Sequence, residues 1–389
     1  MTQIEDMLRA TLAETPTAST TTDPLTALDR RVRRARRRLA LGAGVAAAAI
    51  AAAVVVPLAV LANDQPSRVV VGDDQSPSPT PSPSGVAERA DVWLTNGAHG
   101  VATNDARGHS FVVTEHGNGA TRLLVELGPD GSELQHWTVP ESALFVAQRE
   151  GAVWIWGGGD GAFPTPIVTA VDVQSGTTAS VELDQYGAVT DLAITEGGSA
   201  WAVVADHVLQ LRAVDGKVTV VAVIPLTGAQ RIVSTVNGHL WVQADTQLIE
   251  LVPTGAAGAE QGVTVHWAGT LFAAAPEGER LWVENDSRQI ALLDPLALSD
   301  GAGRASTDQV LDLPAPASVI APDGIGGLFV AFLGGGLAYY DPQAVRSDGP
   351  PAARLARATV DVETMATTLD GGVILQDYGG VAEHWLPSA

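Results

Sequence analysis

Between residues 88 and 389 the apolar positions fall in short runs, each the length of one strand, separated by Gly, Asp and Asn. The recurring unit is a Gly-containing turn, an apolar strand, a short break, a second apolar strand, an Asp-Gly turn and a last strand. Its clearest copies centre on Val153-Trp154-Ile155, Ala200-Trp201-Ala202-Val203, Leu240-Trp241-Val242 and Leu281-Trp282-Val283. Phe111-Val112-Val113, Leu328-Phe329-Val330 and Val373-Ile374-Leu375 occupy the same slot. With Val112, Trp154, Trp201, Trp241, Trp282, Phe329 and Ile374 as phase markers, the intervals run from 40 to 47 residues. A period of roughly 40–50 residues with several short strands per unit predicts an all-β, seven-bladed β-propeller over 88–389.

Within one unit the pattern resolves into Leu192–Thr195, Ala200–Ala205, Val208–Val214 and Lys217–Ile224. Gly197-Gly198 and Asp206-His207 turn the chain, and Asp215-Gly216 is a two-residue hairpin signal. Each blade is therefore expected to be four-stranded and antiparallel. The last unit is short: only Val381–Leu386 follows Ile374, while Asp91–Thr95 is left over at the other end. Pairing these two segments puts the N- and C-terminal strands in one blade and closes the ring without open edges.

Upstream the pattern changes kind. Leu39–Ala62 is an unbroken apolar run of 24 residues. As a helix rising about 1.5 Å per residue it spans roughly 36 Å, enough for a hydrocarbon core of about 30 Å. Arg30, Arg31, Arg33, Arg34, Arg36, Arg37 and Arg38 flank its N-terminal side and Asn63-Asp64 its other side. Positive charge stays on the cytoplasmic side. The expectation is a single-pass protein of the cell membrane, N-terminus cytoplasmic and C-terminal domain extracytoplasmic, with the arginines also in contact with anionic lipid. Two rival readings stay open: a secretory signal cleaved near Val60-Leu61-Ala62, and a nucleic-acid patch at the arginines. Their position directly against an apolar run favours the topological role.

In the tail, Ile4, Met7, Leu8 and Leu12 share one face of a short helix, with Thr2 and Glu5 at capping-box spacing and Pro16 at its end. That face is the candidate site for a cytoplasmic protein partner. The alternative is a solvated tail with transient helicity, since so short a helix is marginal in water. Pro77, Pro79, Pro81 and Pro83 in Gln75–Ser84 favour extended polyproline II, a stalk. The domains are thus 1–38 cytoplasmic tail, 39–62 transmembrane helix, 63–87 Pro/Ser-rich stalk and 88–389 propeller.

The formal net charge of −22 is unevenly spread: residues 1–38 hold eight Arg against five acids, and 86–389 hold 13 basic against 36 acidic residues. So acidic an outer part is unsuited to nucleic acid or anionic lipid. The chain has no cysteine, which excludes disulfides, thiolate zinc sites and Cys nucleophiles.

Candidate chemistry is sparse. Trp154, Trp201, Trp241 and Trp282 read as fillers between blades, with stacking on a ligand as the minor alternative. His99, His109 and His116 lie close in sequence, as turn histidines or as converging metal ligands. His136-Trp137 and His266-Trp267 occupy equivalent last strands, a mark of repetition. Gly157-Gly158-Gly159-Asp160-Gly161 lacks the Lys-Ser/Thr ending of a Walker loop and reads as a long hairpin tip. The Asp-Gly pairs at 130, 215, 300, 323, 348 and 370 are turns without the alternating acids of an EF-hand. No Gly-x-Ser-x-Gly elbow is present. No catalytic, cofactor or metal residue is assigned.

The Leu-Trp-Val strand and the Asp-Gly hairpin resemble propellers of the YVTN and virginiamycin-lyase-like kind, and more loosely the quinoprotein type. The lack of any Trp-Asp dipeptide speaks against WD40 repeats. The resemblance implies a lyase that uses His and Glu near the central channel with a divalent ion, but no residue here maps one by one onto that set. The tail, its Arg run and the Ala-rich span resemble actinobacterial single-span regulators that hold an extracytoplasmic-function sigma factor, although the His and two Cys of their zinc type are missing. The expected function is a membrane-anchored, non-enzymatic ligand- or protein-binding module, a sensor coupled to a cytoplasmic regulator. A tethered lyase or lactonase and an envelope scaffold are the alternatives.

Overall fold

The computed structural model describes residues 91–387 apart from 95–97, 103–106, 117–120, 150, 159–162, 164, 255–257, 277, 287, 299–304, 356–361 and 378–379. The expected tail helix with Ile4, Met7, Leu8 and Leu12, the arginine cluster, the span over 39–62 and the stalk lie outside the described residues. Among the described residues no helix is long and apolar enough to cross a membrane.

The first described strand is β1 (Asp91–Leu94). Blade one holds β2 (Ala98–Ala102), β3 (Ser110–His116), β4 (Thr121–Leu127) and β5 (Glu133–Val139). Blade two holds β6 (Ala143–Arg149), β7 (Ala152–Gly157), β8 (Ile167–Asp172) and β9 (Thr177–Glu182). Blade three holds β10 (Val189–Ile194), β11 (Ala200–Val204), β12 (His207–Val214) and β13 (Lys217–Pro225). Blade four holds β14 (Ala229–Ser234), β15 (Leu240–Ala244), β16 (Gln247–Pro253) and β17 (Ala259–His266). Blade five holds β18 (Leu271–Ala274), β19 (Leu281–Asp286), β20 (Gln289–Leu298) and β21 (Ala305–Asp312). Blade six holds β22 (Ala317–Pro322), β23 (Leu328–Phe332), β24 (Leu337–Tyr340) and β25 (Ala353–Leu355). Blade seven holds β26 (Val362–Thr367), β27 (Val373–Asp377) and β28 (Ala382–Trp385), and β1 completes it in the order β1-β28-β27-β26. The fold is a seven-bladed propeller of four-stranded antiparallel blades, closed by its first and last strands.

Blade three shows how the sequence builds a unit. The five residues of β11 are all buried and uncharged, so the strand sits inside the sheet with both faces covered. Asp215 (φ 51°) and Gly216 (φ 70°) adopt the left-handed pair that matches the twist of a two-residue hairpin. The first strand begins at Val189, three residues before the start the alternation pattern predicts, for a reason that returns below. In blade one the residue equivalent to the Trp markers is Phe111, not Val112: Phe111 pairs with Glu126 as Trp241 pairs with Glu250.

The core lies between blades rather than within them. Trp154 packs into blade three, Trp201 into blade four, Trp241 into blade five and Trp282 into blade six. Phe111 packs toward blade two, Ile374 joins blades seven and one, and Phe329 and Trp385 join blades six and seven. Among the described residues every cluster is drawn from within 98–385, so the propeller carries a hydrophobic core of its own, as a unit able to fold alone does.

Among the described residues one helix interrupts the strands. In α1 (Pro342–Ser347) the Asp341 side chain accepts from Ala344 N at 2.7 Å, and Pro342 occupies the first turn, where its missing N–H costs nothing. At six residues it is too short to show a helical period in the sequence.

Just before it, Tyr339 and Tyr340 have opposite fates. The Tyr339 hydroxyl donates to Asp323 Oδ2 at 2.8 Å, whereas Tyr340 is 1% exposed and its hydroxyl has no partner. Burial pushes the Tyr340 phenol up to about 12, against the pull of Arg354. Tyr339→Phe is expected to cost about 1 kcal/mol, while Tyr340→Phe is neutral or stabilises by up to ~1 kcal/mol, because a buried group without a hydrogen bond is removed. Urea denaturation of both variants checks the contrast, and a larger loss in Tyr340→Phe contradicts it.

Candidate functional site

The first strands of the blades, β2, β6, β10, β14, β18, β22 and β26, touch their neighbours in a closed circle around the central channel. Each carries a β-bulge at its second residue. In β10 the register passes from Val189↔Val204 to Asp191↔Val203, leaving Thr190 unpaired, and the other six strands repeat this slip. The bulged residues are His99, Leu144, Thr190, Gln230, Phe272, Ser318 and Glu363, all at one level of the channel. None of them is buried. A bulge re-aims a side chain and bends the strand, so the seven form a ring at one channel mouth.

The ring is chemically uneven. His99 Nε2 lies 2.9 Å from Glu115 Oε1, and Glu115 lies 3.8 Å from Arg122 Nη2. Arg122 is 5% exposed, donates to the Ala143 carbonyl, and has the Phe163 ring 5.4 Å from its guanidinium carbon. Glu363 Oε2 accepts from Gln376 Nε2 at 3.0 Å, and the Thr190 hydroxyl donates to Val203 O at 3.3 Å. Phe272 and Leu144 supply the apolar part.

Below the ring, Asp191 staples two blades: Oδ2 accepts from Ile232 N of blade four at 3.0 Å and Oδ1 from Leu192 N at 2.9 Å. Burial pushes its carboxyl above the usual range, opposed by the Ile232 N–H, the nearby Arg231 and the Leu192 N–H. At the far end Arg149, the last residue of β6, reaches past blade three. Its Nη1 donates to Ile194 O at 3.2 Å, Ser234 Oγ at 2.9 Å and Thr235 O at 3.2 Å.

A larger cavity, about 590 Å³, lies between blades three and four and is lined by Glu196, Arg212 and His239 among others. Its histidine belongs to a repeated structural pair: His239 Nδ1 lies 2.8 Å from buried Glu250, as His109 Nδ1 lies 2.7 Å from buried Glu126 in blade one. The pair fastens a turn to the third strand of its blade, and the channel is the better site.

The tryptophans fill the blade interfaces as expected, from 0 to 3% exposed. His99, His109 and His116 do not converge. His109 and His116 sit at opposite ends of β3, seven residues or roughly 23 Å apart along an extended strand, and His99 and His109 hold different glutamates. Among the described residues no group of three or more His, Asp or Glu could hold a metal. His136 lies on β5 beside Glu133, 2.7 Å away, and Trp267 follows β17 and donates to Glu284 O at 2.9 Å. Gly157 ends β7 where a Cβ would meet Ser142 O at 1.8 Å, so glycine there answers to blade packing. Residues 159–161 of the glycine run lie outside the described residues. The bulge ring escaped the sequence reading, yet it leaves a signal: Ala98 and Val101, Ala143 and Val146, Val189 and Leu192, Ala229 and Ile232 are buried pairs three residues apart, where an unbroken strand would space them by two.

No protein-family model and no curated protein matches the chain. Solved structures do. A streptogramin B lyase superposes with a TM-score of 0.55 at 13% identity, covering 76% of this chain and 97% of its own. The virginiamycin B lyase from Staphylococcus aureus gives 0.54 at 12%, covering 75% and 97%. The Cps50 (Swd1) β-propeller domain of Myceliophteria thermophila gives 0.59 at 11%, covering 77% and 100%. The C-terminal WD40 domain of Sif2 gives 0.56 at 8%, covering 78% and 100%. At such identities the likeness is one of fold: this chain carries a virginiamycin B lyase-like seven-bladed propeller, an architecture that WD40 domains share.

Proposed function

We propose that this protein is a membrane-tethered, extracytoplasmic binding module that holds a ligand or partner protein at the channel of its propeller and reports to a cytoplasmic regulator such as a sigma factor. The observation that supports it most is the ring. Seven structurally equivalent bulges carry seven different side chains, none of them buried. A repeat kept only for packing has no need of such variety at positions open in part to solvent, whereas recognition does. The apolar tail face and the Arg-flanked run supply the inward half of the reading.

The test uses the full-length chain in its native membrane. Because the sequence has no cysteine, Ser19→Cys and Ser84→Cys each create one thiol. An impermeant maleimide on intact cells is expected to label the second and spare the first. Affinity capture with the native chain, and with Ile4, Met7, Leu8 and Leu12 all changed to Ser, is expected to retain a transcriptional regulator only with the native tail. Equal retention removes the coupling. A variant with Gln230, Phe272 and Glu363 changed to Ala is expected to alter transcription of the regulator's targets, and an unchanged profile removes the propeller as input.

A second reading, a tethered lyase, draws on the His99–Glu115 pair at the channel mouth and on the likeness to lyases. Opening of a streptogramin B by the native chain and not by His99→Ala would favour it.

A further inference from the structure

The turns that follow the seven inner strands ring the far mouth of the channel, opposite the bulges. Six of the seven hold an acid in the sequence: Asp105, Glu150, Glu196, Glu279, Asp323 and Asp370. Asp105 and Glu150 lie outside the described residues and enter by sequence position alone. Turn chemistry accounts for Asp323, whose Oδ1 accepts from Ile325 N at 2.9 Å and Gly327 N at 2.8 Å, and for Asp370, which accepts from Gly372 N at 3.2 Å. It does not call for Glu150, Glu196 or Glu279.

The described carboxylates of this rim are met mainly by neutral donors. The hydroxyls of Tyr339 and Thr235 donate to Asp323 and Glu279, each at 2.8 Å. The Glu279 side chain is 10% exposed, and its Oε1 is buried without a hydrogen-bond partner. His239 Nδ1 stands 2.8 Å from Glu250 and 3.7 Å from Glu279, one imidazole against two carboxylates. At Asp370 burial opposes the charge, yet the Thr368 hydroxyl, the Gly372 N–H and His384 hold the carboxyl below the usual range. Glu196 is exposed. The bases of these turns are Arg280 and Arg107, and Arg107 lies 3.0 Å from Glu126.

Inside the rim the mouth is apolar. A cavity of about 450 Å³ has Ile320, Met365, Pro276 and Pro322 in its walls. Arg149 also reaches it, with its guanidinium taken up by Ile194 O, Ser234 Oγ and Thr235 O. Val236, Ile325 and Leu369, in three of the same turns, are 51%, 73% and 66% exposed. Turn positions favour polar residues, and an apolar patch with a polar rim marks an interaction site.

We infer that the far mouth docks a basic amphipathic segment of a partner protein: a large apolar side chain enters the cavity, and flanking Lys or Arg side chains meet the acidic rim. Charge complementarity selects this occupant. A purely apolar segment leaves the carboxylates unmatched, and an anionic one is repelled by them. The apolar walls strengthen the attraction by focusing the field of the rim. The surface lies opposite the bulge ring, so its failure leaves the reading of the ring standing.

The experiment is isothermal titration of the full-length chain in zwitterionic nanodiscs, with empty nanodiscs as the blank that removes binding to lipid. The probes are the peptides Lys-Lys-Leu-Phe-Lys-Lys, Glu-Glu-Leu-Phe-Glu-Glu and Lys-Lys-Ser-Ser-Lys-Lys. The first is expected to bind at least about tenfold more tightly than either of the others. Glu196→Gln with Asp370→Asn should weaken it about fivefold. Glu182→Gln with Asp184→Asn removes the same charge from exposed positions of the opposite face, and should change the affinity by less than ~twofold, because distant exposed charges are screened. Ile325→Ser with Leu369→Ser, both at exposed positions, should weaken the first peptide about fivefold. Equal losses from the two charge pairs overturn the inference, as does equal binding of the basic and acidic Leu-Phe peptides. Affinity unmoved by the two serines, or no binding of the first peptide to the native chain, overturns it as well.

Discussion

Replacing Trp201 with Ala lowers the stability of the propeller by about 3–5 kcal/mol, the upper range for deleting a large aromatic from a core. The side chain is fully buried and packs with Val203 and Val208 of its own blade and with Leu226, Ile232, Leu240 and Leu251 of the next. Its indole N–H has no hydrogen-bond partner, so the loss is one of packing alone. The site collapses poorly, because β11 is held between β10 and β12 and β15 between β14 and β16. Neither strand can close the gap without breaking ladder bonds. Trp201→Phe keeps most of the volume and is expected to lose less than half as much. Guanidinium denaturation of residues 83–389, followed by far-UV circular dichroism, measures both. A loss below ~1 kcal/mol in the Ala variant would show that the blade interface relaxes freely, contrary to the close packing of protein interiors.

The second large effect comes from closure. Val92 of β1 lies opposite Glu383 of β28 in the antiparallel register. Opposed residues of such a pair have Cα atoms about 4.5–5.5 Å apart, inside the window of roughly 4.4–6.8 Å that a disulfide requires. Because the native chain has no cysteine, Val92→Cys with Glu383→Cys creates a single bond that ties the ring at its seam. It encloses nearly the whole propeller, and chain entropy then predicts a stabilisation of about 5–6 kcal/mol over the reduced form. The difference between denaturation midpoints with and without reductant gives the value, and each single-cysteine variant is the control. Failure of the two thiols to join within one molecule would refute the shared blade. A bond that forms without raising the midpoint would mean that the seam already stays shut in the denatured ensemble.

The elements read most surely from the sequence rest on short-range physics. Asp215-Gly216 makes its hairpin because only left-handed backbone fits there, whatever surrounds it. The apolar second strands recur because each is buried on both faces, and the leftover strands at the two ends pair because an open edge is costly. The strand starts of the inner strands were harder. In β10 the bulge at Thr190 breaks the alternation, so a pattern that counts by two finds the strand only from Leu192.

The sequence by itself determined the repeat, the number of blades, the sharing of the last blade, the absence of thiol chemistry and the separation of an acidic repeat region from an Arg-flanked apolar run. All of these are written in neighbouring residues or in a period. Only the tertiary structure decided which side chains share the channel. His99 and Glu363 are far apart in the chain but take equivalent places in adjoining inner strands, and Arg149 meets Ser234 across an intervening blade. It also decided that His99, His109 and His116, neighbours in sequence, part to different glutamates and strand ends. The physical reason is ring closure: it sets residues from seven units around one axis, and their chemistry becomes common only once every blade has packed on the next.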